Sequence, residues 1–248
     1  MPPIIFEPTA RRIRIEFNKV MIADSARAMI EIETPIPVYY LPLRDIRRDL
    51  LVPSDHTRPD QRRGHARFWS IEVGDRRAEN AMWNYPEPLP GAPPLARYAA
   101  FKWDLVDHWY EEDEEIFRHP RNPYKRVDAI RSSRHVEVII GGAKVADTRR
   151  AVFLFETGLP TRYYIPRDDV RPDILGPSEL HSQCPYKGIA AYHSVSIGGE
   201  SYGDLVWYYP DPIDECRKIT GLLAFFQEKL DAILVDGQVM PRPVTPWS

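Results

Sequence analysis

The chain predicts a mainly β fold built as two tandem copies of one small domain of about 110 residues, each closed by a C-terminal helix. Three observations carry this. A long segment returns at a nearly constant offset. Apolar and polar residues alternate in short runs. And 25 prolines stand against 13 glycines in 248 residues, a composition that punctuates strands and stiffens loops.

The repeat is read directly. IRIEFNKVMIADSARAMIEIET at 13–34 returns as VEVIIGGAKVADTRRAVFLFET at 136–157, with Asp24 on Asp147 and Thr34 on Thr157, an offset of 123. One residue is then inserted. From there the offset is 124: Tyr39 falls on Tyr163, Asp45 on Asp169, Arg47 on Arg171 and Asp49 on Asp173. Pro53-Ser54 falls on Pro177-Ser178, Gly64 on Gly188, Ser70 on Ser194, Trp83 on Trp207 and Tyr85-Pro86 on Tyr209-Pro210. A single slip across so long an alignment marks a duplication.

Each copy then reads alike. IRIEF and VMIAD alternate across Asn18-Lys19, and VEVII and KVAD across Gly141-Gly142, where mirror-image turns need positive φ. MIEIE and VFLFE give a third strand, VYYL and RYYI a fourth. A second hairpin joins RFWSIEV to RRAENAMW across Gly74-Asp75, matched by YHSVSI and ESYGDLVW across Gly198-Gly199. Helical spacing of Ala99, Val106 and Tyr110, and of Leu223, Phe226 and Leu230, predicts closing helices over PLARYAAFKWDLVDHWYEE and CRKITGLLAFFQEKLDAI. The run Glu111–Glu115 then reads as a solvated helix end. The domains are placed at 1–118 and 135–248, with 119–134 as an ordered linker. Trp247, at the end of a proline-rich tail, is expected to dock against a domain face.

Composition narrows the function. Net charge is −3, from 33 basic and 36 acidic residues, so nucleic-acid binding, which calls for basic excess, is disfavoured. The start has no signal-peptide pattern and no segment reaches the roughly 20 apolar residues of a membrane span. Two cysteines, Cys184 and Cys216, are too few for a disulfide framework. A soluble cytoplasmic protein with no membrane partner is expected.

In the second copy YYIPRDDVRPDILGPS, CPYKG and WYYPDP, in that order, resemble the bacterial family known as domain of unknown function 427, in the actinobacterial form that fuses two such domains. The resemblance covers nearly the whole chain. It implies a β-rich fold of the tent or small-barrel kind and brings a nucleotidyltransferase label. The first copy has Asp60-Gln61-Arg62-Arg63-Gly64 in place of Cys184-Pro185-Tyr186-Lys187-Gly188, and His193 stands where the family has the tryptophan seen at Trp69. The second copy is therefore the better place for chemistry.

CPYKG is the sharpest motif. Cys184 has the chemistry of a nucleophile or acid/base thiol, with Lys187 to lower its pKa or grip an anion, and His181 and His193 close in sequence. Asp204, at the position of Asn80, is a candidate general base or a partner for Lys187. Tyr163, Tyr186, Tyr209, Trp207 and Arg171 complete the candidate substrate-binding set. Within it Trp207 and Trp83 favour a core position, Tyr85 and Tyr209 a pocket rim. Asp168-Asp169 invites a magnesium reading, but adjacent strand residues point to opposite faces. Asp169 reads as a turn residue bonded to Arg171. Arg149-Arg150 reads as surface charge and Glu156 as a partly buried ion-pair partner. No GxxxxGK[ST] loop is present and the two cysteines are single, so no metal and no cofactor are expected. Two functions stay open: a small-molecule enzyme of unassigned reaction with its site around CPYKG, or a non-catalytic protein that binds an anionic metabolite or supports assembly. Redox sensing through Cys184 is a third, weaker idea.

Overall fold

A computed structural model describes residues 3–34 and 36–245, and the chain divides into two units, 1–122 and 123–248. In the first unit the alternating run Ile13–Phe17 pairs antiparallel with Val20–Ser25, and Asn18 and Lys19 take φ of 48° and 63° to make the turn. His108–Glu111 and Glu114–Ile116 extend this hairpin to a four-stranded sheet. A seven-stranded sheet runs in the order Ile5–Pro8, Met29–Ile32, Val38–Pro42, Tyr98–Phe101, Arg76–Asn84, Gly64–Val73 and Leu51–Asp60.

The second unit repeats this order with the large sheet split in two. Val136–Ile140 pairs with Ala143–Thr148 and with Ala232–Val235. Val127–Arg131, Val152–Glu156 and Arg162–Tyr164 form a three-stranded sheet, and Gly188–Ile197 lies at the centre of a five-stranded one. The pairing of Leu41 with Ala99 in the first unit is reduced in the second to one bridge, Ile165 to Leu223. Among the described residues the sheets follow open paths rather than a closed barrel, and no helix is long and apolar enough to cross a membrane.

The closing helices are not formed. Residues 95–111 fold as the 3-10 turns Leu95–Arg97 and Trp103–Leu105 with the strands Tyr98–Phe101 and His108–Glu111 between and after them. The second copy does the same with Asp214–Ile219, Ala224–Phe225, Gln227–Lys229 and Ala232–Val235. Ala99 and Ala100 are both fully buried: a strand covered on both faces loses its alternation and reads as a helix segment. The acidic run is a hairpin rather than a helix end, with Glu111 paired to Glu114 across it and buried against Arg11 and the Tyr39 hydroxyl. Residues 127–131, placed by sequence in the linker, are instead the first strand of the second unit, where Ile5–Pro8 stands in the first. Pro241 and Arg242 of the tail contact Gln227 and Leu230; Trp247 lies outside the described residues.

Each unit holds two apolar clusters. The larger gathers Ile13, Ile15, Tyr39 and Leu41 in the first copy and Val136, Val138, Tyr163 and Ile165 in the second. The smaller gathers Tyr40, Phe68 and Tyr85, or Tyr164, Trp207 and Tyr209. Adjacent tyrosines on one strand face opposite clusters, as period-2 geometry requires.

Candidate functional site

In the second copy His181–Cys184 and Gly188–Ile197 form a hairpin whose turn is Pro185-Tyr186-Lys187. The Lys187 N–H donates to the Cys184 carbonyl at 3.2 Å. Gly188 takes φ of +106°, and a Cβ there would meet the Asp211 carbonyl at 3.3 Å. This close approach lets Ile213 N–H donate to the Lys187 carbonyl at 3.1 Å and joins CPYKG to WYYPDP. Gly64 does the same in the first copy, with φ of +108° and the Glu87 carbonyl 2.9 Å from an added Cβ. The recurring glycine and proline positions are backbone architecture.

That turn carries Lys187 into the smaller cluster. Its ammonium is buried and donates to Glu156 Oε2 at 2.5 Å, while Lys125 reaches Glu156 Oε1 at 2.8 Å. Burial works against the ammonium, but Cys184, Glu156 and Tyr164 hold it above the ordinary lysine value. Burial opposes the Glu156 carboxylate as well, and the two lysines overcome it, so its pKa is lowered. Tyr164 is fully buried and accepts from Trp207 Nε1 at 3.1 Å. Burial pushes the Tyr164 and Tyr209 phenols far up. Cys184 is half-buried at the edge of the cluster, whereas Cys216 is buried, donates to the Tyr186 carbonyl, and is pushed up to about 11 by its burial.

The first copy builds the same arrangement from different residues. Arg63 takes the place of Lys187 and Glu33 that of Glu156, and they form an ion pair. Asp60 takes the place of Cys184 and lies 3.3 Å from Arg63. Glu31, where the second copy has Leu154, adds a further contact to Arg63 at 2.6 Å. Arg62 also pairs with Glu33. At this cluster opens a cleft of about 160 Å³ whose lining also includes Tyr40, Trp83, Tyr85, Ile36, Val38 and Arg58. Trp83 stands edge-on to Tyr40 with centroids 6.4 Å apart, as Trp207 does to Tyr164 at 6.3 Å.

Several candidates lie elsewhere. His193 faces the opposite side of its strand from Tyr192 and Trp207: Arg167 contacts its Nε2 at 2.6 Å and its ring stacks on Tyr208. Its burial lowers its pKa. Asp204 is a bulge residue with φ of 52°, its carboxylate accepting from Ser178 and its N–H donating to the Ser194 hydroxyl. Asn80 repeats this with φ of 54°, Ser54 and Ser70, so the aspartate serves the backbone. Tyr163 packs on Phe153 in the larger cluster. Arg171 is an exposed partner of Asp173. Asp169 is held by Thr148 and Arg150 rather than by Arg171, and it is not free for a cation. Tyr85 and Tyr209 are both buried, and Tyr85 also lines the first-copy cleft. Tyr186 packs under Lys125, 5.1 Å from its centroid.

One further group has ligand-like geometry. His135, Glu137 and Asp147 converge, but Lys144 donates to both carboxylates at 3.0 and 2.5 Å. An ammonium already stands where a cation would, and Arg12 on Asp24 plays the same part in the first copy.

Sequence reasoning passed over Tyr164, Lys125, and the whole first-copy cluster. The signal was present: Glu33 and Glu156 match at the offset of 123, and Arg63 and Lys187 match in charge at 124. A search for identities skips a cation replaced by another cation.

Fold and site together define a tandem β protein in which each copy holds a buried acid–base pair beside an aromatic wall. The chain belongs to the family described as Domain of unknown function (DUF427), whose sequence profile matches residues 5–112 and again 128–236. A search of curated proteins finds no match.

Proposed function

We propose that the protein is a small-molecule enzyme whose shared cluster is a ligand site in both copies, with chemistry in the second. The observation that carries this is the placement of a half-buried thiol, Cys184, at the edge of a buried Lys187–Glu156 pair. The first copy holds a carboxylate, Asp60, at the thiol's position. The Cys184 sulfur is the one half-buried strong nucleophile at this cluster, and the first copy has no equivalent. Lys187 is committed to Glu156, so its role is to supply positive potential to a substrate's developing charge rather than to capture an anion outright. The nucleotidyltransferase label gains no support from Asp168-Asp169, since Asp169 is already bonded. The test is incubation with a metabolite mixture and mass-spectrometric scoring of depletion. Wild type is expected to consume a metabolite that Cys184→Ala leaves intact.

A second reading, binding without turnover, is favoured by the position of the open cleft in the copy that lacks the thiol. A metabolite that raises the melting temperature of wild type and Cys184→Ala alike, with none consumed, would select it. Neither binding nor depletion would remove both readings.

A further inference from the structure

The first-copy cleft differs from its counterpart in a way that specifies a ligand. At the positions of Arg58, Asp60, Arg62 and Glu31 the second copy has Ser182, Cys184, Tyr186 and Leu154. Four uncharged side chains thus face four charged ones around the same acid–base pair. The charges in the first copy are not evenly spent. Glu31, Glu33 and Asp60 converge on Arg62 and Arg63, leaving one negative charge in excess on the cleft floor. Arg58 also lines the cleft, its guanidinium over the Phe68 ring at 5.9 Å. Among the described residues no carboxylate pairs with it. Arg58 and Asp60 stand two residues apart on the strand Leu51–Asp60 and so share a face, and the cleft's lining also includes Val38, Trp83 and the exposed Ile36.

We propose that the first-copy cleft binds a zwitterion of the apolar α-amino-acid class, its carboxylate on Arg58, its ammonium toward Glu33 and Asp60, and its side chain against Trp83 and Val38. Two opposite charges side by side on one strand, in a cleft with aromatic and apolar lining, match a ligand that carries both charges on one carbon beside an apolar group. A simple anion would meet the carboxylate floor, and a simple amine would leave Arg58 unused. Specificity then comes as much from what is repelled as from what is held. The proposal rests on the reading of the shared cluster as a ligand site and adds the ligand class of its first copy.

The test is calorimetry and thermal shift on the full chain with L-leucine, L-valine and L-phenylalanine. Each is run beside the amine and the carboxylic acid that lack one of the two charges. At least one amino acid is expected to bind, with affinity falling roughly tenfold or more when either charge is deleted. Arg58→Ala, a change at an exposed side chain, is expected to weaken the amino acid by a similar factor while leaving the matching amine unaffected. The idea is overturned if none of the three binds at millimolar concentration, if an amine or acid binds as well as its amino acid, or if Arg58→Ala leaves the amino acid unchanged. Metabolite depletion dependent on Cys184, scored in the same preparations, reports separately on the second copy. If that depletion persists while the amino acids fail, only the ligand class falls.

Discussion

Lys187 and Glu156 meet at 2.5 Å in the second copy, and the first copy sets Arg63 against Glu33 at the equivalent positions. Thirty-one residues separate Lys187 from Glu156 in the chain, so the pair exists only when the CPYKG turn is docked on the strand Val152–Glu156. Removing one member leaves a buried charge exposed to its own desolvation cost. Glu156→Gln, which strands two ammoniums, is expected to destabilise the second unit by about 3–5 kcal/mol. Lys187→Met should cost less because Lys125 still holds Glu156. Urea unfolding of each variant checks the order; equal, small losses would contradict it.

Glu228 gives a pH-dependent counterpart. It is buried, and Arg162 donates to it at 2.5 and 2.8 Å. Burial opposes its charge, but Arg162 and Thr245 outweigh this and lower its pKa from 4.5 to about 2. A carboxylate depressed in the folded state contributes stability above its unfolded pKa and loses it as pH falls toward the folded one. The contribution is about 3 kcal/mol at neutral pH. Glu228→Gln should therefore cost most of that at pH 7 and little near pH 2. Unfolding measured at both ends checks the sign; a pH-independent loss would contradict it.

Gly64→Ala and Gly188→Ala test the junction of the two motifs. Both positions have strongly positive φ, and the added Cβ meets a carbonyl at 2.9 Å in the first copy against 3.3 Å in the second. Each is expected to cost about 1–3 kcal/mol, the first more than the second. Melting temperatures of the two variants decide the order.

Asp204→Asn should be nearly neutral, within about 0.5 kcal/mol, because Asn80 already performs the same task in the first copy. Metabolite depletion should also survive. Loss of depletion with unchanged stability would restore Asp204 as a general base.

The duplication and the hairpins were legible because period-2 alternation and turn residues such as Asn18-Lys19 are local signals. The closing helices misled because Tyr98–Phe101 is buried on both faces, which erases alternation. The site was half legible. CPYKG and Trp207 stood out as motifs, but the choice between Tyr163 and Tyr164 depends on which face each presents. That is fixed by register, which one strand alone does not reveal. His193 was drawn in by nearness in sequence and removed by the same alternation. The first-copy cluster stayed hidden because Arg63 matches Lys187 only in charge, and Asp60, Arg62 and Glu31 have uncharged counterparts in the second copy.

The most direct test is alkylation of Cys184 in the native protein. Cys216 is buried, so iodoacetamide should label Cys184 alone until the chain unfolds. If the cluster is a ligand site, a metabolite that the wild type consumes should slow that labelling in proportion to its occupancy. Labelling of Cys184 at one unchanging rate across the whole metabolite panel would contradict the account.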